Sequence, residues 1–259
     1  MKKEITRNKR EILDIHTHRN TAGQLHSIVN YPLRPLAPLR LSIVFNDAIP
    51  QWIQRRLFFM MAAYNLMIIN MAPLFKGVYY SIGIHPWDAL HSNSQVQCSM
   101  FKRFFRESQF LAIGEAGLDK LSDVPMGIQT MQFMMQSNYA EVAAKPMIIH
   151  CVKAMEELMV LKRELSPEQP WIWHGFRGKP EQAKQLLDQG FYLSFGEKYN
   201  EETMLMMPAD RLFLETDDSK ADIEDLLHKA AQLRGVEPDV LRETLYENAE
   251  KVFFKGQQL

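Results

Sequence analysis

Short apolar runs that end in a histidine or an acidic residue recur along the 259-residue chain. Such runs alternate with stretches of helical period, a pattern that indicates βα units and a parallel sheet. In a barrel of such units, the residues at the carboxyl ends of the strands converge at one open face. The pattern therefore predicts a single metal site there, built from five of the eight histidines and two acids: His16, His18, His85, His150, His174, Glu115 and Asp217.

Eight segments fit the strand pattern, which is the number that a closed TIM-type (β/α)8 barrel needs. These are residues 12–16, 27–31, 79–84, 111–115, 146–150, 171–174, 191–195 and 212–215. The helical pattern covers residues 95–107, 127–144, 154–165, 180–189, 201–206, 223–234 and 238–254. With 46% hydrophobic residues, the chain is long enough for one large core, so we expect an α/β fold in a single domain.

Residues 33–77 fit this alternation worst, because prolines punctuate the start of the segment. We interpret the segment as an insertion between the second and third barrel strands. Within it, residues 57–75 carry no charge and approach the length of a membrane span. Asn65, Asn70 and Pro73 interrupt that run, so a buried or partner-facing helix is favoured and membrane association is not expected.

Charge and cysteine content limit the classes of function. The formal net charge is −1, so composition gives no general attraction to nucleic acid and any such contact has to be local. The two cysteines, Cys98 and Cys151, are too few for a disulfide framework and are typical of a reducing cytosol. We expect a cytoplasmic protein without a signal peptide or a stable protein partner, in which both thiols pack rather than react.

The first strand predicts a pair of metal ligands. Residues two apart in a strand share a face, so Asp14, His16 and His18 point the same way. Two imidazoles at this spacing can hold one ion. Asp14 lies deeper, where it is suited to orient an imidazole by hydrogen bonding.

Four further ligand candidates recur at intervals of one or two βα units. Each has a structural alternative, since His150 and His174 can be core histidines, Glu115 a helix cap and Asp217 an N-cap residue. Their joint convergence at one mouth favours a site. Carboxylate and imidazole ligands suit Zn²⁺, Mn²⁺ or Fe²⁺, and Mg²⁺ where phosphate and water complete the shell. Six ligands exceed the need of one tetrahedral ion, so we predict two ions about 3.5–4 Å apart, bridged by Glu115.

Several motifs along the chain match the sequence pattern of one known protein family. They are Asp14-Ile-His16-Thr-His18, Gly83-Ile-His85-Pro86, Gly114-Glu115-Ala-Gly117-Leu118-Asp119, Ile148-Ile-His150, His174-Gly-Phe176-Arg-Gly178, Leu214-Glu215-Thr216-Asp217 and Asn248-Ala249-Glu-Lys-Val-Phe253. Together they resemble the TatD family of metal-dependent hydrolases, which are deoxyribonuclease-like members of the amidohydrolase-type barrels. The resemblance spans nearly the whole chain outside residues 33–77.

The resemblance implies a role for each residue of the site. His16, His18 and Asp217 would hold one metal, and His150 and His174 the second, with Glu115 shared. Asp217 would also accept a proton from the attacking water. His85 has no evident ligand position and is expected to contact the scissile phosphate or the leaving group, the alternative being a packing residue at the end of a strand.

Two loops depart from the family pattern. Cys151-Val152-Lys153 follows His150 where a basic and then an acidic residue are usual, and residues 218–222 replace the usual small residue, proline and aromatic residue. Lys153, Arg177 and Lys220 are the candidates to replace the missing cationic contacts, unless they are only solvated surface charges.

The leading hypothesis is a metal-dependent phosphodiesterase that acts on DNA with two divalent ions, Mg²⁺ or Mn²⁺ in activity and Zn²⁺ as a possibility. One alternative is a barrel hydrolase of a small ester, lactone or amide. Another, from a different class, is a non-catalytic binding or membrane-associated protein.

Overall fold

A computed structural model describes residues 14–17, 27–32, 78–91 and 110–255. Its eight parallel strands form one sheet in which the spatial order follows the chain order. The first strand also comes beside the last, which is the arrangement of a closed TIM-type barrel. The strands are β1 (Asp14–Thr17), β2 (Ser27–Pro32), β3 (Val78–Gly83), β4 (Phe110–Asp119), β5 (Met147–Val152), β6 (Trp171–Trp173), β7 (Tyr192–Phe195) and β8 (Leu212–Leu214).

This architecture confirms the predicted α/β barrel and its eight strands. The proposed insertion, residues 33–77, lies outside the described residues, as does the predicted helix at 95–107. Whether the whole chain is one domain stays a prediction.

Helices follow the later strands. They are α1 (Met126–Ala143), α2 (Met155–Leu165), α3 (Pro180–Asp188), α4 (Glu201–Met206), α5 (Ile223–Arg234) and α6 (Pro238–Phe253), with short 3-10 helices at Pro86–His91 and Ala209–Arg211. None of the helices in the described part of the chain is long and apolar enough to cross a membrane.

Strand β4 is longer than predicted because its second half pairs with β5. Its register with β5 shifts between Ile113 and Ala116, and pairing then continues to Asp119, which lies opposite Val152. At this irregular point Gly114 has φ +147°, and a Cβ atom there would collide with the carbonyl oxygen of Ile148. Glycine at 114 therefore allows β4 and β5 to approach each other where the polar residues of the sheet begin.

The two faces of the strands pack against different partners. One face packs on the surrounding helices, as in the edge-to-face contact between Trp171 of β6 and Phe133 of α1, whose ring centroids are 5.0 Å apart. A second buried cluster includes Ile148, Ile172 and Phe213 of the strands, and α6 contributes Phe253 to it, whose ring centroid lies 5.6 Å from that of Phe213. Each fully buried side chain of this size contributes about 1.5–3 kcal/mol of transfer free energy.

The second cluster positions the site. Each of three apolar residues stands two positions before a polar one: Ile148 before His150, Ile172 before His174 and Phe213 before Glu215. Because side chains alternate along a strand, each apolar residue and its polar successor point to the same side of the sheet. The polar groups therefore form the layer directly above a packed apolar floor.

Candidate metal centre

Glu115 is the centre of the polar layer. Its Oε1 atom lies 2.7 Å from Nε2 of His174 and 2.8 Å from Nδ1 of His150. Nε2 of His85 lies 3.4 Å from the same oxygen. Four of the residues that the sequence selected, on or next to four different strands, are thus in direct contact.

The charges of this cluster are strongly coupled. Burial alone would raise the pKa of Glu115, but the charge of His174 and hydrogen bonds from His150, His174 and His85 outweigh it and hold that pKa well below its ordinary value. Burial likewise opposes charge on His174, yet Glu115 and then Glu215 hold the pKa of His174 well above its ordinary value. The carboxylate of Glu115 is thus compensated by the positive charge of His174, and a divalent cation bound to neutral imidazoles could supply the same compensation.

Asp119, the last residue of β4, extends the cluster toward the carboxyl end of that strand. Its Oδ2 accepts a hydrogen bond from Nε1 of Trp87 at 2.7 Å and lies 3.3 Å from Nε2 of His150. Burial raises the pKa of Asp119, but the Trp87 hydrogen bond, a backbone bond from Leu121 and His150 together lower it. Sequence reasoning assigned Asp119 no role. Its spacing of four residues from Glu115 on one strand was the available signal.

Glu215 supports His174 from the opposite side. Its Oε1 accepts the backbone N–H of Gly175 at 2.6 Å and lies 3.3 Å from Nδ1 of His174. The other oxygen, Oε2, is buried and has no hydrogen-bond partner among the described residues. A carboxylate that holds the far nitrogen of an imidazole fixes the tautomer of a ligand histidine. Glu215 was not predicted either, although it stands two residues before Asp217.

Two groups of ligand-type atoms lie close enough to hold ions. His85, Glu115 and His150 offer atoms within 4.8 Å of one another, and so do His174, Glu215 and Asp217. This grouping differs from the predicted one, in which His150 and His174 share an ion. The donor sets, together with the buried unpartnered oxygen of Glu215, fit divalent cations.

The predicted ligands of the first strand are only partly described. The backbone of His16 belongs to β1, while His18 lies outside the described residues. β1 is adjacent to β8, the strand that leads to Asp217. The assignment of His16, His18 and Asp217 to one ion stays a prediction.

A backbone hydrogen bond favours one tautomer of the His85 ring. The N–H of Trp87 donates to Nδ1 of His85 at 3.3 Å, so in a neutral ring the proton is carried by Nε2. Nε2 then serves as a donor toward Glu115 or a substrate oxygen rather than as a metal ligand. This arrangement supports the predicted substrate contact over a ligand role.

A cleft of about 440 Å³ opens beside Asp217. Arg177 and Lys220, two of the predicted cationic contacts, line it together with Lys198, for which no role was predicted. Four acids also line the cleft: Glu197, Glu215, Asp217 and Asp218. Lys153 is exposed and does not line this cleft. The thiol of Cys151 is largely buried, which raises its pKa to about 12, and this agrees with a packing role rather than a nucleophilic one.

The barrel and its coupled carboxylates and imidazoles define a class, that of the α/β-barrel metal-dependent hydrolases. The family described as TatD related DNase matches residues 13–254. The chain therefore belongs to the TatD family of metal-dependent hydrolases.

Individual relatives agree with this assignment. Over 158 residues the chain is 34% identical to the uncharacterized metal-dependent hydrolase YabD of Bacillus subtilis, covering 58% of this chain and 62% of YabD. It is 28% identical over 210 residues to the 3'-5' ssDNA/RNA exonuclease TatD of Cronobacter sakazakii, covering 70% of this chain and 79% of that protein. The solved structure of the TatD homologue YJJV from Escherichia coli has the same fold, with a TM-score of 0.71 at 17% identity over 94% of this chain and 98% of that one.

Proposed function

We propose that this protein is a two-metal phosphodiesterase that hydrolyses single-stranded nucleic acid, with DNA as the expected substrate. The observation that carries the proposal is the contact of one buried carboxylate, Glu115, with the imidazoles of His85, His150 and His174. The name of the Cronobacter relative, an exonuclease of single-stranded DNA and RNA, supports the choice of substrate.

Six residues are proposed to hold the ions. Glu115 is shared, His150 and His174 serve one ion, and His16, His18 and Asp217 serve the other. Bound Mg²⁺ or Mn²⁺, or Zn²⁺ as an alternative, would lower the pKa of water toward about 7 and neutralise charge on the phosphate. Glu215 and Asp119 keep the imidazoles of His174 and His150 in place.

Other steps of the reaction are assigned to side chains of the protein. Asp217 takes a proton from the water that attacks phosphorus. The bond from phosphorus to the leaving oxygen breaks and that oxygen takes a proton from solvent, while Nε2–H of His85 donates a hydrogen bond to a phosphate or leaving-group oxygen. Arg177, Lys198 and Lys220 bind neighbouring phosphates in the cleft. Lys153 stays a more distant candidate for such contacts.

The basic side chains of Arg177, Lys198 and Lys220 in the cleft favour a phosphodiester over a small neutral ester, lactone or amide, because each can pair with a phosphate oxygen. We further propose a cytoplasmic location, which rests on the low cysteine content.

Asp217 provides the test. It has φ +49°, a conformation that asparagine tolerates, so Asp217→Asn removes the charge without straining the loop. Purified protein with Mg²⁺ or Mn²⁺ is expected to degrade single-stranded DNA, and Asp217→Asn to reduce kcat by about 100-fold or more. The control is Asp188→Ala, which removes an exposed acid at the end of α3. Wild-type protein that cleaves no oligonucleotide with any of these metals would refute the proposal.

A further inference from the structure

Trp87 lies at the entrance of the candidate site with 55% of its side chain exposed. Its Nε1–H donates to Oδ2 of Asp119 at 2.7 Å. Its ring meets the ring of His85 at 77°, with centroids 4.7 Å apart. The indole is therefore held in a fixed orientation although much of it faces solvent.

The exposed part of Trp87 is apolar, because the only polar atom of its side chain is already bonded. Exposing a large aromatic ring to water costs free energy. The hydrogen bond to Asp119 does not by itself require the ring to be exposed. An apolar ring fixed at the mouth of a polar site is a surface that a ligand can cover.

The position of Trp87 relative to the site limits which chemical groups that ligand can carry. The indole centroid lies 6.2 Å from the ring of His150 and touches His85, which in turn reaches Glu115. The cleft lined by Arg177, Lys198 and Lys220 adjoins Asp217, on the side of the site that His174 and Glu215 occupy. A ligand that spans the site thus meets a cleft with three basic and four acidic side chains on one side, the proposed ion ligands in the middle and a flat apolar ring on the other.

We propose that Trp87 is a stacking platform for the base of the nucleotide adjacent to the scissile phosphate. The inference rests on the proposed nuclease function and adds a determinant of specificity to it. Aromatic stacking accepts every base but requires an unstacked one. Trp87 therefore makes the enzyme prefer single-stranded or frayed ends without choosing a sequence.

Two variants separate stacking from the hydrogen bond to Asp119. Trp87→Leu removes both, whereas Trp87→Phe keeps an aromatic face and loses the indole N–H. Leu90→Ala is the matched control, because it removes exposed apolar surface from the same 3-10 helix. Each protein is assayed on single-stranded oligonucleotides that are intact or carry one abasic residue on either side of the cleaved bond.

The wild type is expected to show a KM about tenfold higher on one of the two abasic substrates, the size of one lost base stack. Trp87→Leu should have about this higher KM on the intact oligonucleotide and no further penalty from the abasic residue. Trp87→Phe and Leu90→Ala should retain the penalty. An abasic penalty that survives in Trp87→Leu, or a wild type without any penalty, would overturn the inference while leaving the nuclease function in place.

Binding separates this inference from the proposed function. If the wild type cleaves no oligonucleotide, the proposed function fails, and equilibrium binding of the same intact and abasic oligonucleotides then decides the role of Trp87. Tighter binding of the intact strand by the wild type but not by Trp87→Leu supports the platform. Equal discrimination by both proteins, or none by either, rejects it.

Discussion

Oε1 of Glu115 lies 2.7 Å from Nε2 of His174, and both side chains are almost completely buried. The pair lies above the apolar layer formed by Ile148 and Ile172. A charged pair placed there is costly to desolvate, so it contributes little net stability. The pair matters more for the electrostatics of the site, because the Glu115 carboxylate can bind a cation there.

Glu115→Gln is therefore expected to weaken metal binding more than folding. The amide keeps the volume but removes the charge that faces three imidazoles, and we expect apparent metal affinity to fall about 100-fold or more. Elemental analysis after reconstitution and dialysis measures this, with more than one ion per chain expected for the wild type. The control is Glu157→Gln, which removes the carboxylate that pairs with Lys120 at 2.6 Å. Unchanged occupancy in Glu115→Gln would remove Glu115 as the shared ligand.

Glu215→Gln tests the residue that orients His174. The amide oxygen can still accept the N–H of Gly175, so the loop is expected to keep its path. Loss of the carboxylate beside Nδ1 of His174 should lower metal affinity by about 10–100-fold. Isothermal titration with Mn²⁺ measures the change.

The control for Glu215 is Glu141→Gln, since the Glu141 carboxylate also accepts backbone N–H groups, those of Glu168 and Gln169. Equal Mn²⁺ affinities for Glu215→Gln and wild type would show that Glu215 only anchors the loop.

The sequence predicted the strands, because strands depend on local patterns, and it selected His85, His150 and His174, which the structure brings into contact with Glu115. Helix α4 was predicted at its observed bounds, since Asn200 caps it by accepting the N–H of Thr203 at 2.9 Å and Pro208 follows it. Asp119 and Glu215 were missed because their roles depend on neighbours that are distant in sequence. The register shift of β4 between Ile113 and Ala116 is likewise a property of the paired strands, and periodicity does not reveal it.

The last two helices are joined by a charged pair whose removal is expected to destabilise the fold. The two terminal guanidinium nitrogens of Arg242, Nη1 and Nη2, donate to the Glu224 carboxylate at 2.6 Å, and Arg242 is buried. Glu224→Gln leaves that buried charge with only the more exposed Asp239, whose Oδ1 lies 3.6 Å from Nε of Arg242, so the free energy of unfolding should fall by about 2 kcal/mol. The Glu224 carboxylate is half-exposed, which keeps the loss below that of a fully buried pair.

A double-mutant cycle with Arg242→Met identifies the cause of this loss. The double variant should recover part of the stability lost in Glu224→Gln, because it no longer buries an unpaired charge. Urea unfolding measures all four proteins. Strictly additive losses would show that the two side chains do not interact energetically.

Lys162 gives a prediction for the pH dependence of stability. Its ammonium lies 4.7 Å from the Trp171 ring centroid and 5.3 Å from that of Phe191. Burial lowers the pKa of Lys162 from 10.5 to about 8, despite the nearby Glu141. Below about pH 8 the folded protein holds a partly desolvated charge, so Lys162→Met should raise the free energy of unfolding at pH 7 by about 1 kcal/mol, a value reduced by residual solvation.

The advantage of Lys162→Met should shrink as the pH rises. Between about pH 8 and pH 10.5 the unfolded chain still binds the proton that folded Lys162 has released, so the wild type gains stability relative to the variant. Urea unfolding of both proteins at pH 7 and pH 9.5 measures the difference, and Lys184→Met, at an exposed position of α3, controls for loss of a positive charge. A difference between wild type and Lys162→Met that is the same at both pH values would mean that Lys162 keeps an ordinary pKa in the folded protein.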